Sequence, residues 1–208
     1  RGLFKLLNKS LRFVFVVLAV FLVVGCGGKP VAPVEVLENA PENFVYDPAE
    51  HGEAVPVEID SDLSVDFCGV DLERGDYLAG VDTLEYRSAV YGPGGELRYV
   101  VHVRLRGLKL GCPDMRYDDY EDGYAVIATE KGVWVREAGS REFEPCEEFD
   151  DYDAWLYEES IYLQAISLWD GKSLLFTPSS PATGSLVLVY DINPGVKLDK
   201  SLFEPKGE

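Results

Sequence analysis

Histidine, cysteine, methionine and side-chain amides are all scarce in this chain. His51 and His102 are its two histidines, and it has four cysteines, one methionine, one glutamine (Gln164) and four asparagines in 208 residues. Two histidines leave few ways to build a proton-shuttling site, and nothing in their spacing suggests a Ser–His–Asp set. The chain has no Gly-x-Ser-x-Gly elbow, no His-Glu-x-x-His and no Walker glycine loop, so the common hydrolase, zinc-protease and nucleotide-binding signatures are missing. Positive charge is short as well. Lys and Arg number 19 against 37 Asp and Glu, a formal net charge of −18, which argues against a surface that grips nucleic-acid phosphates. Few thermolabile amides, with many Glu and Val, fit a chain built for heat. What remains is 47% hydrophobic and 12% aromatic, enough for a packed core.

The first thirty residues read as an address. Arg1, Lys5, Lys9 and Arg12 precede a twelve-residue apolar run over 13–24. That is the length of a secretory h-region and falls short of the ~20 residues needed to span a bilayer. The run ends in Leu22-Val23-Val24-Gly25-Cys26. This resembles a lipobox, the recognition site of the bacterial-type lipoprotein signal peptidase. The resemblance implies loss of residues 1–25 and acylation of Cys26, with Val23 where Leu is commoner. Losing 1–25 would remove four basic and no acidic residues, taking the net charge from −18 to −22. Anionic headgroups repel such a body. Residues 26–43 are expected to form a lipidated tether, with Gly27-Gly28 for flexibility and Pro30 and Pro33 for extension.

Past the tether, over 44–208, the signal is β. Val55-Pro56-Val57-Glu58-Ile59 alternates, and Pro56 demotes it to an edge strand. Leu63, Val65 and Phe67 alternate after it. The clearest strand is 97–106, with Leu97, Tyr99, Val101, Val103 and Leu105 on one face and Arg98, Val100, His102, Arg104 and Arg106 on the other. Residues 124–129 and 132–136 form a compact hairpin, 185–191 form another strand, and Leu202-Phe203 a last one. Residues 154–169 fit neither period well. They read as a short helical turn followed by a strand, and no long amphipathic helix is expected after the signal.

The strand 99–105, the hairpin 124–134 and the closing segment 180–191 resemble an immunoglobulin-like domain of unknown function found in many bacterial and some archaeal lipoproteins. A small secreted mycobacterial antigen shares that fold. The resemblance implies an all-β, immunoglobulin-like β-sandwich over roughly 55–204, preceded by a signal helix and a flexible tether. It supplies no catalytic residues. The chain departs from the family in three extra cysteines and two acidic stretches.

Those stretches are its most individual feature. Asp114, Asp118, Asp119, Glu121 and Asp122 fall in the first, and seven acids lie between Glu142 and Asp153 in the second. If strand 97–106 runs up, 124–129 down and 132–136 up, the acidic stretches lie in loops 107–123 and 137–153, which emerge at the same end. Cys112 and Cys146, one in each, would then pair as a disulfide, which is permitted outside the cytoplasm. Cys68 is left out as a buried thiol. Asp118, Asp119 and Asp122 with Asp150 and Asp151 are the candidate ligands of a weak Ca²⁺ site, since calcium takes hard oxygen donors. The pattern departs from a calcium loop at Tyr120 and Thr129. The plainer reading is a solvated acidic surface. Interleaved aromatics, Tyr117, Tyr120, Tyr152 and Trp155, are the expected interaction surface. The basic stripe of the long strand is expected to pair with acids on neighbouring strands, with an anion site as the functional alternative.

The expected function is that of a lipid-anchored binding or interaction module without catalysis. It would sit on the cell membrane or outer membrane and face out of the cytoplasm. It would need no cofactor beyond the weak calcium site, and its partner would be an envelope protein or a glycan rather than nucleic acid. The alternatives are an accessory subunit that docks through its acidic loops, and a calcium-dependent or glycan-directed enzyme. The enzyme would need a carboxyl in an apolar cleft.

Overall fold

A computed structural model describes residues 53–59, 80–92, 94–119, 122–146, 151–177 and 186–205, with Ala49 and Leu78. The leader, Cys26, the tether, the expected strand 63–67 and Cys68 lie outside these residues. Nine strands are described: β1 (Ala54–Pro56), β2 (Thr83–Tyr91), β3 (Leu97–Arg106), β4 (Asp114–Asp119), β5 (Tyr124–Thr129), β6 (Gly132–Arg136), β7 (Glu144–Pro145), β8 (Ser173–Phe176) and β9 (Leu186–Pro194). The helix α1 spans Tyr152–Ser167.

The strands hydrogen-bond into one sheet in the order β1-β8-β9-β2-β3-β4-β5-β6-β7. Strands β2 to β7 form an antiparallel meander in chain order. The chain then passes through α1 and returns with β8 and β9, so that β9 pairs with the far side of β2. β1 joins β8 in parallel at the edge. The expectation of a mostly β chain therefore holds. The described strands form one mixed sheet carrying a helix and do not by themselves supply the two facing sheets of a sandwich. Both edge strands are two or three residues long and carry a proline, Pro56 or Pro145. Short, proline-bearing edges resist pairing with another chain.

Local chemistry explains the best-defined elements. Alternation sets β3, and the turn before it closes through Gly95 N–H to the Gly92 carbonyl (2.9 Å) with Gly95 at φ +83°, a value that only glycine adopts cheaply. A bulge between Val90 and Tyr91 shifts the β2–β3 register at its end. Leu97 therefore stands opposite Tyr91 and packs against the cluster that holds it, not with the rest of its expected face. The 124–129/132–136 hairpin forms with the expected bounds.

Three expectations are corrected. The first acidic stretch is not one loop: Asp114–Asp119 is strand β4, which alternates Asp114, Arg116 and Asp118 with Met115, Tyr117 and Asp119. Residues 152–167 are one helix rather than a turn and a strand. Tyr152, Trp155, Leu156, Glu159, Ser160, Leu163 and Ile166 face inward at helical spacing, and Asp151 caps the first turn by accepting from the Asp153 and Ala154 amides. Leu202 and Phe203 belong to a 3-10 turn, Lys200–Phe203, not a strand.

The main core lies between α1 and one face of the sheet. It draws Leu84, Val103, Met115, Val126, Leu174 and Val189 against Trp155, Leu163 and Ile166. A smaller cluster of Ala89, Tyr91, Leu175, Leu186, Leu188 and Tyr190 sits on the opposite face.

Candidate functional site

Each face of the sheet carries one polar assembly, and strand register places both. On the face away from α1, Arg87, His102, Asp118, Ala125 and Arg136 align across β2 to β6 in one row. Glu85, Arg104 and Arg116 align in the next, and Arg106 stands opposite Asp114 in the third. Buried Asp118 is the hub. Arg116 donates to it through Nε (2.9 Å) and Nη2 (3.0 Å), a fork matched to a carboxylate. Arg104 donates through Nη1 at 2.5 Å, and Arg136 stands at 3.8 Å. Arg106 pairs with Asp114, and Arg87 with Asp191 at 3.3 Å. The expected pairing of the basic stripe with neighbouring acids is what the structure shows.

Arg104 Nη2 donates to His102 Nδ1 at 2.8 Å. Arginine can only donate, so the His102 proton sits on Nε2, 3.4 Å from Glu85. Burial, then the Arg104 charge, hold the His102 pKa below its ordinary value, which keeps the ring neutral. Phe143 underlies both Arg116 (5.7 Å) and Arg136 (5.3 Å), and Phe203 underlies Arg106 (4.9 Å). Arg116 Nη1 also donates to the Leu202 carbonyl at 3.1 Å, pinning the C-terminal turn to this face.

On the other face, α1 sets Glu158 and Glu159 against a group of tyrosines. Glu159 is 2% exposed. Its Oε1 accepts from Tyr86 Oη at 2.6 Å and its Oε2 from Tyr117 Oη at 3.0 Å. Glu158 Oε1 is buried with no hydrogen-bond partner. Burial pushes Glu158 up to about 7 and Glu159 up to about 8, although the two tyrosine hydroxyls pull Glu159 back. Burial likewise raises Tyr86, Tyr99, Tyr117 and Tyr162. Tyr86 stacks on Tyr162 at 6.0 Å, and Tyr162 meets Phe176 edge-on at 5.6 Å.

The structure redistributes the predicted site residues. Tyr152 and Trp155 are buried, at 9% and 8% exposure, and Tyr117 packs on Trp155 at 5.1 Å. Tyr152 Oη donates to the Pro113 carbonyl at 2.6 Å. These three are core residues and not an interaction surface; Tyr120 lies outside the described residues. The expected calcium ligands are not one set. Asp118 is engaged by arginines, Asp119 points to the opposite face, Asp122 N–H bonds to Asp119 Oδ1 (3.2 Å), and Asp151 caps α1; Asp150 lies outside the description. Among the described residues no group of three or more His, Cys, Asp or Glu could hold a metal.

Cys112 and Cys146 are not bonded to each other, which corrects the expected disulfide. Once β4 is a strand, Cys112 precedes it while Cys146 follows β7, with its amide on the Val133 carbonyl (2.9 Å). Three strand spacings of about 4.8 Å separate those positions, well beyond the ~7 Å Cα limit for a bridge. Each thiol packs against the main core instead.

Sequence reasoning missed Glu158, Glu159, Tyr86 and Tyr162 altogether. It missed the Asp118 hub although the Asp114-Met115-Arg116-Tyr117-Asp118 alternation was present. Among the described residues no helix is long and apolar enough to cross a membrane. No family model, curated protein or solved structure matches the chain.

Proposed function

We propose that the chain is a lipid-anchored, extracytoplasmic binding module of the cell envelope, tethered through acylated Cys26 and devoid of catalysis. One observation supports a binding face. In a chain of net charge −18, six of ten arginines (Arg87, Arg98, Arg104, Arg106, Arg116 and Arg136) gather on the sheet face opposite α1, alongside the rings of Phe143 and Phe203. Arginine and aromatic rings are the residues enriched at the centres of contact surfaces. With His102 neutral, the partly exposed guanidinium groups of Arg87, Arg98, Arg106 and Arg136, already beside carboxylates of the same face, are what it offers to an anionic partner, an acidic glycan or envelope protein. The immunoglobulin-like kinship belongs to the same proposal; β3, β5–β6 and β9, which carry the resemblance, are all strands. Glu159 argues against the enzyme reading. It has the apolar surroundings of a general acid, but it is 2% exposed and tyrosine hydroxyls occupy both oxygens.

A second reading keeps the acids as the docking surface, because Glu137, Glu142, Glu144, Asp151 and Asp153 are exposed. Two measurements test the proposal. Cys26→Ser should shift the full chain from the membrane to the soluble fraction and abolish its acyl mass. Retention of residues 1–25 in an unlipidated cytosolic protein would end the envelope reading. The full chain should bind immobilised polygalacturonate at low salt, and Arg136→Ala should weaken that binding at least threefold. Binding to immobilised polylysine alone would move the docking surface to the acids.

A further inference from the structure

The cluster beneath α1 holds two adjacent carboxyls, and it meets them with phenols. Glu159 is reached from β2 by Tyr86, from β4 by Tyr117 and along the helix by Tyr162. Glu158, partly exposed as a residue, faces Tyr99 of β3, Tyr117 and Tyr162, and its buried Oε1 accepts no hydrogen bond. Beyond this shell, among the described residues, Arg98 and Asp119 are the charges that act on these tyrosines, both on Tyr99. Among the described residues neither glutamate forms an ion pair. A carboxylate without a counter-charge is costly to bury, whereas the protonated acid is not. Tyr86 and Tyr117 fix Glu159 in place in either state, since they donate to a carboxylate oxygen or to the carbonyl and hydroxyl oxygens of the acid.

We propose that Glu158 and Glu159, held by α1 against Tyr86, Tyr99, Tyr117 and Tyr162, form a proton-operated latch that keeps the helix seated while the pair is neutral and loosens it as the pair gives up its protons. Loosening bares the apolar sheet face now covered by Trp155, Leu163 and Ile166. The sign follows from linkage. Both acids sit above their ordinary value of 4.5, at about 7 and about 8. Once α1 lifts they return towards 4.5 and ionise. The stability they confer is complete below about pH 4.5 and drains away as pH rises to about 7 for Glu158 and about 8 for Glu159. The opening constant of α1 therefore rises about tenfold per carboxyl per pH unit inside those windows and flattens above them. The latch is independent of what the opposite face binds.

The test is urea denaturation of the full chain from pH 5 to pH 9, read as the number of protons released on unfolding, with Glu158→Gln, Glu159→Gln and the double variant in parallel. Glutamine keeps an acceptor for the tyrosines but cannot ionise. Each single variant should release about one proton fewer near pH 6, and the double variant about two fewer. All variants should resist urea at pH 8 at least as well as the parent. If Glu159→Gln fails to fold, Glu158→Gln carries the test by itself. Proton release unchanged from the parent in the variants that fold would overturn the latch.

Discussion

The two faces of this sheet solve the problem of buried polarity in opposite ways. Away from α1, charge is met with charge: Asp118 takes Arg104 and Arg116 directly and Arg136 at 3.8 Å, and aromatic rings back the guanidinium groups. Beneath α1, charge is avoided: burial shifts two acids upward, towards the neutral form, and they are met by phenols. The first arrangement rests on Coulomb attraction and fork geometry, the second on the cost of ionising in an apolar setting. One sheet can hold both because strand alternation sends neighbouring residues such as Tyr117 and Asp118 to opposite sides.

The largest effect should come from removing the hub. Asp118→Ala leaves guanidinium groups partly buried without their carboxylate and should cost about 3–5 kcal/mol, seen as a large fall in the urea midpoint. A loss under ~1 kcal/mol would mean the arginines do not depend on Asp118, and the contrast between faces would fade. On the other side, Tyr86→Phe removes one donor to Glu159 and should cost about 1–3 kcal/mol. That loss should be larger at pH 8 than at pH 5.5, because the carboxylate needs the donor more than the acid does. An equal loss at both values would show that Tyr86 acts by packing alone. Asp151→Ala should cost about 1 kcal/mol through the helix cap and should loosen α1 without changing the pH profile, which separates weakening of the helix from operation of the latch. Arg87→Ala, at a partly exposed pair with Asp191, should cost under ~1 kcal/mol. A larger loss would extend the coupled network to the edge of that face.

Much of the contrast was half-visible in the sequence. β3 was legible because its apolar positions alternate without interruption, and β5–β6 because a short turn joins two such runs. β4 was lost because Asp114, Asp118 and Asp119 look like a loop when counted as acids. They look like a strand only when Met115 and Tyr117 are set between them. α1 was lost for a related reason. Glu159 and Ser160 stand on its inner stripe, so the apolar period breaks where the buried polar cluster lies. The disulfide failed as a consequence of the missing strand, since β4 moves Cys112 three strands away from Cys146. Partner choice across the sheet, Tyr86 with Glu159 at a separation of 73 residues, has no local signature at all.

Hydrogen exchange of the native full chain, followed at pH 5.5 and pH 8 and corrected for intrinsic rates, compares the two faces directly. Residues 152–167 should open at least tenfold more readily at pH 8. Residues 196–205, fastened by Arg116 to the Leu202 carbonyl, should change little. Parallel loosening of both segments, or an α1 indifferent to pH, would contradict the account.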